Sequence, residues 1–281
     1  MKEVGYYNGE LGSLDEIKCP ILDRAVYFGD GCYDATHVHN GIIFALEDHL
    51  ARFYNSCRLL RIDFQYTPEE LTKILYEVVE KFDGENAILY WQASRGTALR
   101  KHQFPKDSKP NLMAMAVELE MTPPDKEFKV ISLEDTRFLH CNIKTLNLIP
   151  SVIAATKAEE AGCDEVIFYR NGLVTEMAHS NVSIIKDGAL RVHPNDNLVL
   201  PGIAIMHLKK LAADMGIPVI EEPFDMITCM NADEVIITSS GTLCNRITSV
   251  DNISVGGKAP ELFKKLQDAA WAEYNEYTSK K

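Results

Sequence analysis

The chain has 281 residues, 46% of them hydrophobic, enough to bury a large core in two domains of ordinary size or one large one. Its 29 basic and 41 acidic residues leave a formal net charge of −12 with no basic run, so nucleic acid and anionic membrane surfaces are not expected partners. The seven cysteines form no C-x-x-C pair and their odd number cannot all pair within one chain. No apolar run approaches the roughly 20 residues of a membrane span, and no apolar signal core follows Met1, so a reducing cytoplasm is the expected compartment.

Taken in chain order, Thr36–Ala45 reads as a β-rich segment, and Glu47–Arg61 as a helix whose Leu50, Phe53, Tyr54, Cys57 and Leu60 recur at spacings of three and four. Ala87–Ser94 and Leu112–Glu118 read as further strands, which makes residues 1–120 a small α+β unit. Met121-Thr122-Pro123-Pro124-Asp125-Lys126 interrupts regular structure, so 121–126 is expected to link this unit to a larger C-terminal, cofactor-binding domain over 127–281.

Beyond that break, Ser151–Glu160 is helix-like. Glu165–Arg170 and Leu173–Thr175 flank Asn171-Gly172, a dipeptide suited to the type I′ turn of a hairpin. Val182–Lys186 continues the sheet up to a turn at Asp187-Gly188. Ile203–Met215 and Glu261–Tyr277 fit helices, with Ile217–Ile220 and Glu234–Thr238 as strands between them. Pro218 marks the first of these as an edge strand, since proline cannot donate to the ladder. Strands and helices do not alternate strictly, which disfavours a doubly wound parallel sheet.

The segment Cys141-Asn142-Ile143-Lys144-Thr145-Leu146-Asn147 sets one lysine among apolar and small polar neighbours. A desolvated lysine loses basicity and attacks carbonyls to form a Schiff base, although on spacing alone Lys144 reads first as a surface lysine after a strand. It stands in company with Arg95-Gly96-Thr97-Ala98-Leu99-Arg100-Lys101-His102, Asp23-Arg24, Phe28-Gly29-Asp30-Gly31-Cys32-Tyr33, Thr175-Glu176, Ser180-Asn181-Val182 and Leu200-Pro201-Gly202-Ile203. In order and spacing these resemble the pyridoxal-phosphate aminotransferases of fold type IV, and within them the D-amino acid aminotransferases, almost end to end.

That resemblance implies a two-domain α+β fold with pyridoxal 5'-phosphate in the interdomain cleft. It implies transamination between a D-amino acid such as D-alanine or D-glutamate and a 2-oxo acid such as 2-oxoglutarate or pyruvate, by a homodimer with shared active sites. By matching position, Lys144 carries the cofactor and moves the proton, and Glu176 faces the pyridine nitrogen. Leu200 packs beneath the ring. Arg52, Ser240 and the backbone of Ile203 and Ala204 at a helix N-terminus hold the phosphate, Ala204 standing where the family often has threonine. Tyr33, Arg100 and His102 match the trap for the substrate carboxylate, the last two reaching across from the second subunit.

Met177-Ala178-His179 departs from the smaller, hydroxyl-rich stretch of those relatives, and Cys244-Asn245-Arg246 is unusual for a wall of the same pocket, which leaves the substrate side chain open. The alternatives within the fold are a branched-chain L-amino acid aminotransferase and an aminodeoxychorismate lyase. From another class, the alternative is a non-catalytic binding protein that keeps the fold. His37-x-His39 has no third ligand near it in sequence, so no metal is expected.

Overall fold

The computed structural model describes residues 1–279, which divide into two compact units. The first contains β1 (Glu3–Tyr7), β2 (Glu10–Gly12), α1 (Arg24–Phe28), β3 (Gly31–His39), β4 (Ile42–Ile43), α2 (Leu46–Leu59), α3 (Pro68–Lys81), β5 (Asn86–Ser94) and β6 (Asn111–Glu118). Its strands form one antiparallel sheet in the order β2-β1-β6-β5-β3-β4.

Alternation sets the inner face of this sheet: Ala87, Leu89, Trp91 and Ala93 of β5 are buried, as are Leu112, Ala114 and Ala116 of β6. Trp91 lies opposite Ala114 in the ladder, so a large side chain is matched to a small one. Phe53 of α2 and Leu71, Leu75 and Val78 of α3 close over that face.

Two features here differ from the sequence reading. The segment Thr36–Ala45 is not one strand: Asn40 and Gly41 take φ of 50° and 78°, which makes a two-residue hairpin turn between His39 and its ladder partner Ile42. Helix α3, absent from the reading, carries a full start signal. The Thr67 hydroxyl accepts from the Glu70 backbone N–H at 3.2 Å, the Glu70 carboxylate accepts from the Thr67 N–H at 2.8 Å, and Pro68 opens the helix.

The second unit contains β7 (Phe128–Glu134), α4 (Ile149–Glu160), β8 (Glu165–Arg170), β9 (Leu173–Met177), β10 (Asn181–Lys186), β11 (Ala189–Val192), α5 (Ile203–Asp214), β12 (Val219–Glu221), α6 (Met226–Met230), β13 (Glu234–Thr238), β14 (Asn245–Val250), β15 (Ile253–Ser254) and most of α7 (Pro260–Thr278). Its sheet runs β12-β11-β10-β13-β14-β7-β8-β9, with β15 beside β14. Pairing is mixed: β11/β12, β14/β7 and β7/β8 are parallel and the rest antiparallel. Strand β12, just after Pro218, lies at the edge as expected.

The division departs from 1–120, 121–126 and 127–281 in three respects, one being that the chain from Glu276 returns to the first unit. Residues 122–126 belong to the second unit, where the Asn245 side chain donates to the carbonyls of Pro123 and Lys126 and Gln267 donates to that of Pro124. Ile143–Asn147 belongs to the first unit, because Tyr33 N–H donates to Lys144 O at 2.9 Å and Leu146 N–H to Gly31 O at 3.1 Å. No described helix is long and apolar enough to cross a membrane.

The capping box makes α3 testable: Thr67→Ala should lower stability by about 1 kcal/mol, read from the urea midpoint at unchanged slope. An unchanged midpoint would show that packing of α3 alone sets its start.

Candidate active site

In the first unit the residues around Lys144 lie at the end of β3. Residues 144–146 add to this strand like a short extra strand, with Cys32 and Thr145 bridged. Gly31 permits the approach, since a Cβ there would overlap the Ala93 carbonyl and come within 2.8 Å of the Leu146 side chain. The half-buried Lys144 ε-amine donates to the Tyr33 hydroxyl at 3.2 Å and lies 4.3 Å from the centre of its ring. Its backbone N–H donates to the Ser56 hydroxyl of α2 at 3.3 Å. Among the described residues no carboxylate forms an ion pair with it. An amine so placed is anchored yet not neutralised.

Arg52 is not a solvated helix arginine. It is buried, and its Nε and Nη2 donate to the two oxygens of Asp34 at 2.9 and 2.7 Å, while His49 Nδ1 lies 2.7 Å from the same carboxylate. Burial opposes ionisation of Asp34, but Arg52 and then His49 outweigh it and hold the carboxyl well below the usual carboxylate range. For His49 burial wins: its pKa is lowered despite Asp34, and Arg52 and Lys144 add to the lowering.

Arg100 and His102 lie on an exposed loop folded against Phe28. The Arg100 guanidinium is 4.8 Å from that ring's centre and the His102 ring 5.2 Å from it. The loop is tied down on both sides of His102, since Arg24 donates to the Lys101 carbonyl at 2.8 Å and Arg95 stacks 3.6 Å over Phe104. Around it Ile21, Val26, Leu99 and Phe104 are exposed apolar side chains, Leu99 at 74%.

In the second unit Glu176 is a buried acid near the end of β9, not an exposed strand-end charge. One oxygen is paired with Arg137. The other accepts from the Leu200 N–H at 2.8 Å and from the Asn181 amide at 3.2 Å. Arg137 is held in turn by both oxygens of Asp135, whose pKa is lowered because Arg137 outweighs burial.

Asn181 also donates to the Leu200 carbonyl at 3.0 Å, and its oxygen abuts Gly202, where a Cβ would overlap it. Thus one amide ties Glu176 to the start of α5. Gly202 caps α5 without any side-chain hydrogen bond, so the first N–H groups, those of the buried Ile203 and the half-buried Ala204, have no side-chain acceptor. Ser240 is half-buried in the turn after β13. Two residues before it, the Thr238 hydroxyl is buried with no hydrogen-bond partner, opposite Asn181 in the β10/β13 ladder.

Within the second unit, an uncapped helix start and a buried hydroxyl without a partner offer donors suited to an anion, and within the first a half-buried lysine without a carboxylate partner offers an amine suited to a carbonyl. The profile of the family described as amino-transferase class IV matches residues 31–250. The chain belongs to that family. A D-alanine aminotransferase of Bacillus licheniformis is 37% identical over 268 residues, 94% of each chain. One of Staphylococcus haemolyticus is 36% identical over 276 residues, covering 97% of this chain and 96% of its own. Among solved structures, the branched-chain amino acid aminotransferase from Escherichia coli aligns with a TM-score of 0.89 at 21% identity, covering 99% of this chain and 96% of that one. The fold is therefore that of the type IV aminotransferases.

The sequence reading did not single out Asp34 and His49, which are buried against Arg52, or Arg137, which holds Glu176. Asp34 had a signal, an acid on the inward face of a strand beside Cys32 and Thr36. The tie from Arg137 to Glu176 had none, because the two lie 39 residues apart.

The sign of the pH dependence follows from the two shifts. His49 has a lowered folded pKa, so its share of stability is full above its unfolded value of about 6.5 and is lost as pH falls through the folded one. Asp34 is likewise depressed, and its share is lost only below about pH 3.9. His49→Gln should therefore flatten the decline of stability between about pH 6.5 and 4, measured by urea unfolding across that range. An unaltered slope would show that His49 is not what titrates.

Proposed function

We propose that this class IV aminotransferase uses pyridoxal 5'-phosphate to exchange an amino group between a D-amino acid, D-alanine or D-glutamate, and a 2-oxo acid, 2-oxoglutarate or pyruvate. The observation that carries the reading is the half-buried Lys144 ε-amine, held by the Tyr33 hydroxyl and without a carboxylate partner among the described residues. The substrate class rests on full-length relatives named D-alanine aminotransferase at 36–37% identity.

When bound, the cofactor supplies an electron sink for the charge left at the substrate α-carbon. Lys144 would hold it covalently, and its ε-amine would be the base that takes the substrate α-proton and returns it. Glu176, fixed by Arg137, Asn181 and the Leu200 N–H, would hold the proton on the ring nitrogen. The N–H groups of Ile203 and Ala204, with Arg52 and Ser240, would hold the phosphate, and Leu200 would pack beneath the ring. With no hydroxyl at Ala204, its contribution is confined to the backbone.

Tyr33, Arg100 and His102 would grip the substrate carboxylate, the last two in a neighbouring copy of the chain. The exposed Ile21, Val26 and Leu99 around their loop support a homodimer, since exposed apolar patches mark interaction surfaces. The seven free cysteines fit a reducing cytoplasm.

Borohydride reduction of the enzyme loaded with pyridoxal phosphate, followed by peptide mapping, should place the label on Lys144, and Lys144→Ala should bind the cofactor only reversibly. Label on another lysine overturns the assignment. Under the same reading D-alanine should exceed L-alanine in kcat/KM; the opposite preference moves the chain to the branched-chain reading.

The shared site has its own test. Lys144→Ala and Arg100→Ala chains, each nearly inactive, are unfolded and refolded together so that subunits assort at random. Half the dimers are then mixed, each with one whole site, so about a quarter of wild-type sites should return. Mixtures that stay inactive despite proven heterodimers refute it.

A further inference from the structure

The turn Met177–Ser180 joins β9 to β10 and so stands between Glu176 and Asn181, the two side chains that are hydrogen-bonded to each other and to Leu200. It is closed by a Met177 N–H to Ser180 O bond of 2.9 Å. The next support comes from Glu165, the first residue of β8. Its carboxylate is fully buried, and one oxygen accepts from the N–H of Val166 at 2.8 Å and of Ala178 at 3.3 Å. The other accepts from the His179 N–H at 3.3 Å and pairs with His179 Nδ1 at 2.5 Å.

Among the described residues Glu165 has one basic partner, and that partner, with 69% of its side chain exposed, covers the carboxylate from the solvent side. A buried charge is retained only where donors compensate it, and here three of the four donors come from the turn itself.

We infer that Glu165, with His179 as its lid, is a positioning residue for the reaction: it fixes the Met177–Ser180 turn and thereby the placement of Glu176 and Asn181. The inference rests on the reading that Glu176 serves the cofactor ring. Glutamine at 165 would turn its amide N–H₂ toward at least one backbone donor, so the turn would lose an acceptor and meet a repulsive contact. Alanine at 179 would remove the ring and leave the carboxylate without its basic partner, at an exposed position that folding tolerates.

The experiment takes the full chain as wild type, Glu165→Gln and His179→Ala, and reads three quantities. These are amide exchange of the peptide spanning residues 176–182, the Kd of pyridoxal phosphate from titration, and kcat and KM for the amino donor. Glu165→Gln should speed exchange in that peptide alone, weaken the cofactor and lower kcat by about tenfold each, the scale on which groups behind a functional residue act. KM should change little, because the substrate trap is elsewhere. His179→Ala should move the same quantities in the same direction by less.

Faster exchange with Kd and kcat as in wild type would mean a merely structural acid and overturn the inference, as would altered kinetics without faster exchange. If Glu165→Gln does not fold, His179→Ala decides on the same criteria. Should the wild type bind no pyridoxal phosphate, the functional reading fails, while the exchange data still report whether Glu165 and His179 hold the turn.

Discussion

Three residues of backbone pairing fix where Lys144 stands in this chain. By lying along the end of β3, residues 144–146 turn a loop lysine into one whose Cα is set by a sheet, through Tyr33 N–H to Lys144 O and Leu146 N–H to Gly31 O. Side chains on sheets are held more precisely than those on free loops. The arrangement also explains why β3 carries so much else. One face of the strand presents Tyr33 to the amine, and the other presents Cys32 and Asp34 to α2, so the lysine, its hydrogen-bond partner and the arginine-bearing helix are referred to a single element. Gly31 is the condition for this, since no side chain fits between β5 and Leu146.

Charge is then distributed by burial. Each unit holds a carboxylate behind a guanidinium, Asp34 behind Arg52 and Asp135 behind Arg137. Removing one partner from such a pair strands a buried charge and costs several kcal/mol, whereas the intact pair fixes the arginine's plane without exposing it to competing water. Arg137 uses this fixity to hold Glu176. The arginines are rigid parts of the scaffold, unlike solvated tethers that would have to be ordered when an anion arrives.

Much of this was legible beforehand because the informative residues are local. Asn171-Gly172 announces its hairpin, the spacing in Glu47–Arg61 its helix, and Pro218 its edge strand. Lys144, Glu176 and the Gly202-Ile203 segment were singled out by the family resemblance, and the structure starts a helix at the last of them. The same local rules contain the lapses. Asn40-Gly41 is as clear a turn as Asn171-Gly172 but sits inside a β-rich run that reads as continuous, and Thr67-Pro68-Glu69-Glu70 is a complete helix start whose helix went unread.

What no local rule could supply is pairing at a distance. Arg137 with Glu176, Asp34 with Arg52 and Glu165 with His179 depend on strands brought side by side, and the attachment of Ile143–Asn147 to β3 spans more than 100 residues. Arg52 illustrates the limit: on a helix of mixed polarity a lone arginine reads as solvated, and only the aspartate on the facing strand draws it inward.

The first unit is discontinuous. It begins at Met1, takes in Ile143–Asn147, and is completed from Glu276 onward, where Tyr277 sets its ring against Phe44 at 5.3 Å. Chains emerge from the ribosome N-terminal end first, and domains generally fold as units. Here β1 to β6 must wait for residues as late as Tyr277 before their unit is complete, with β3 lacking residues 144–146 until the chain has been made that far. The consequence concerns biogenesis: the N-terminal sheet is exposed as an unfinished edge for longer than a contiguous domain would be, and shielding of nascent chains matters more for this protein than its length alone suggests.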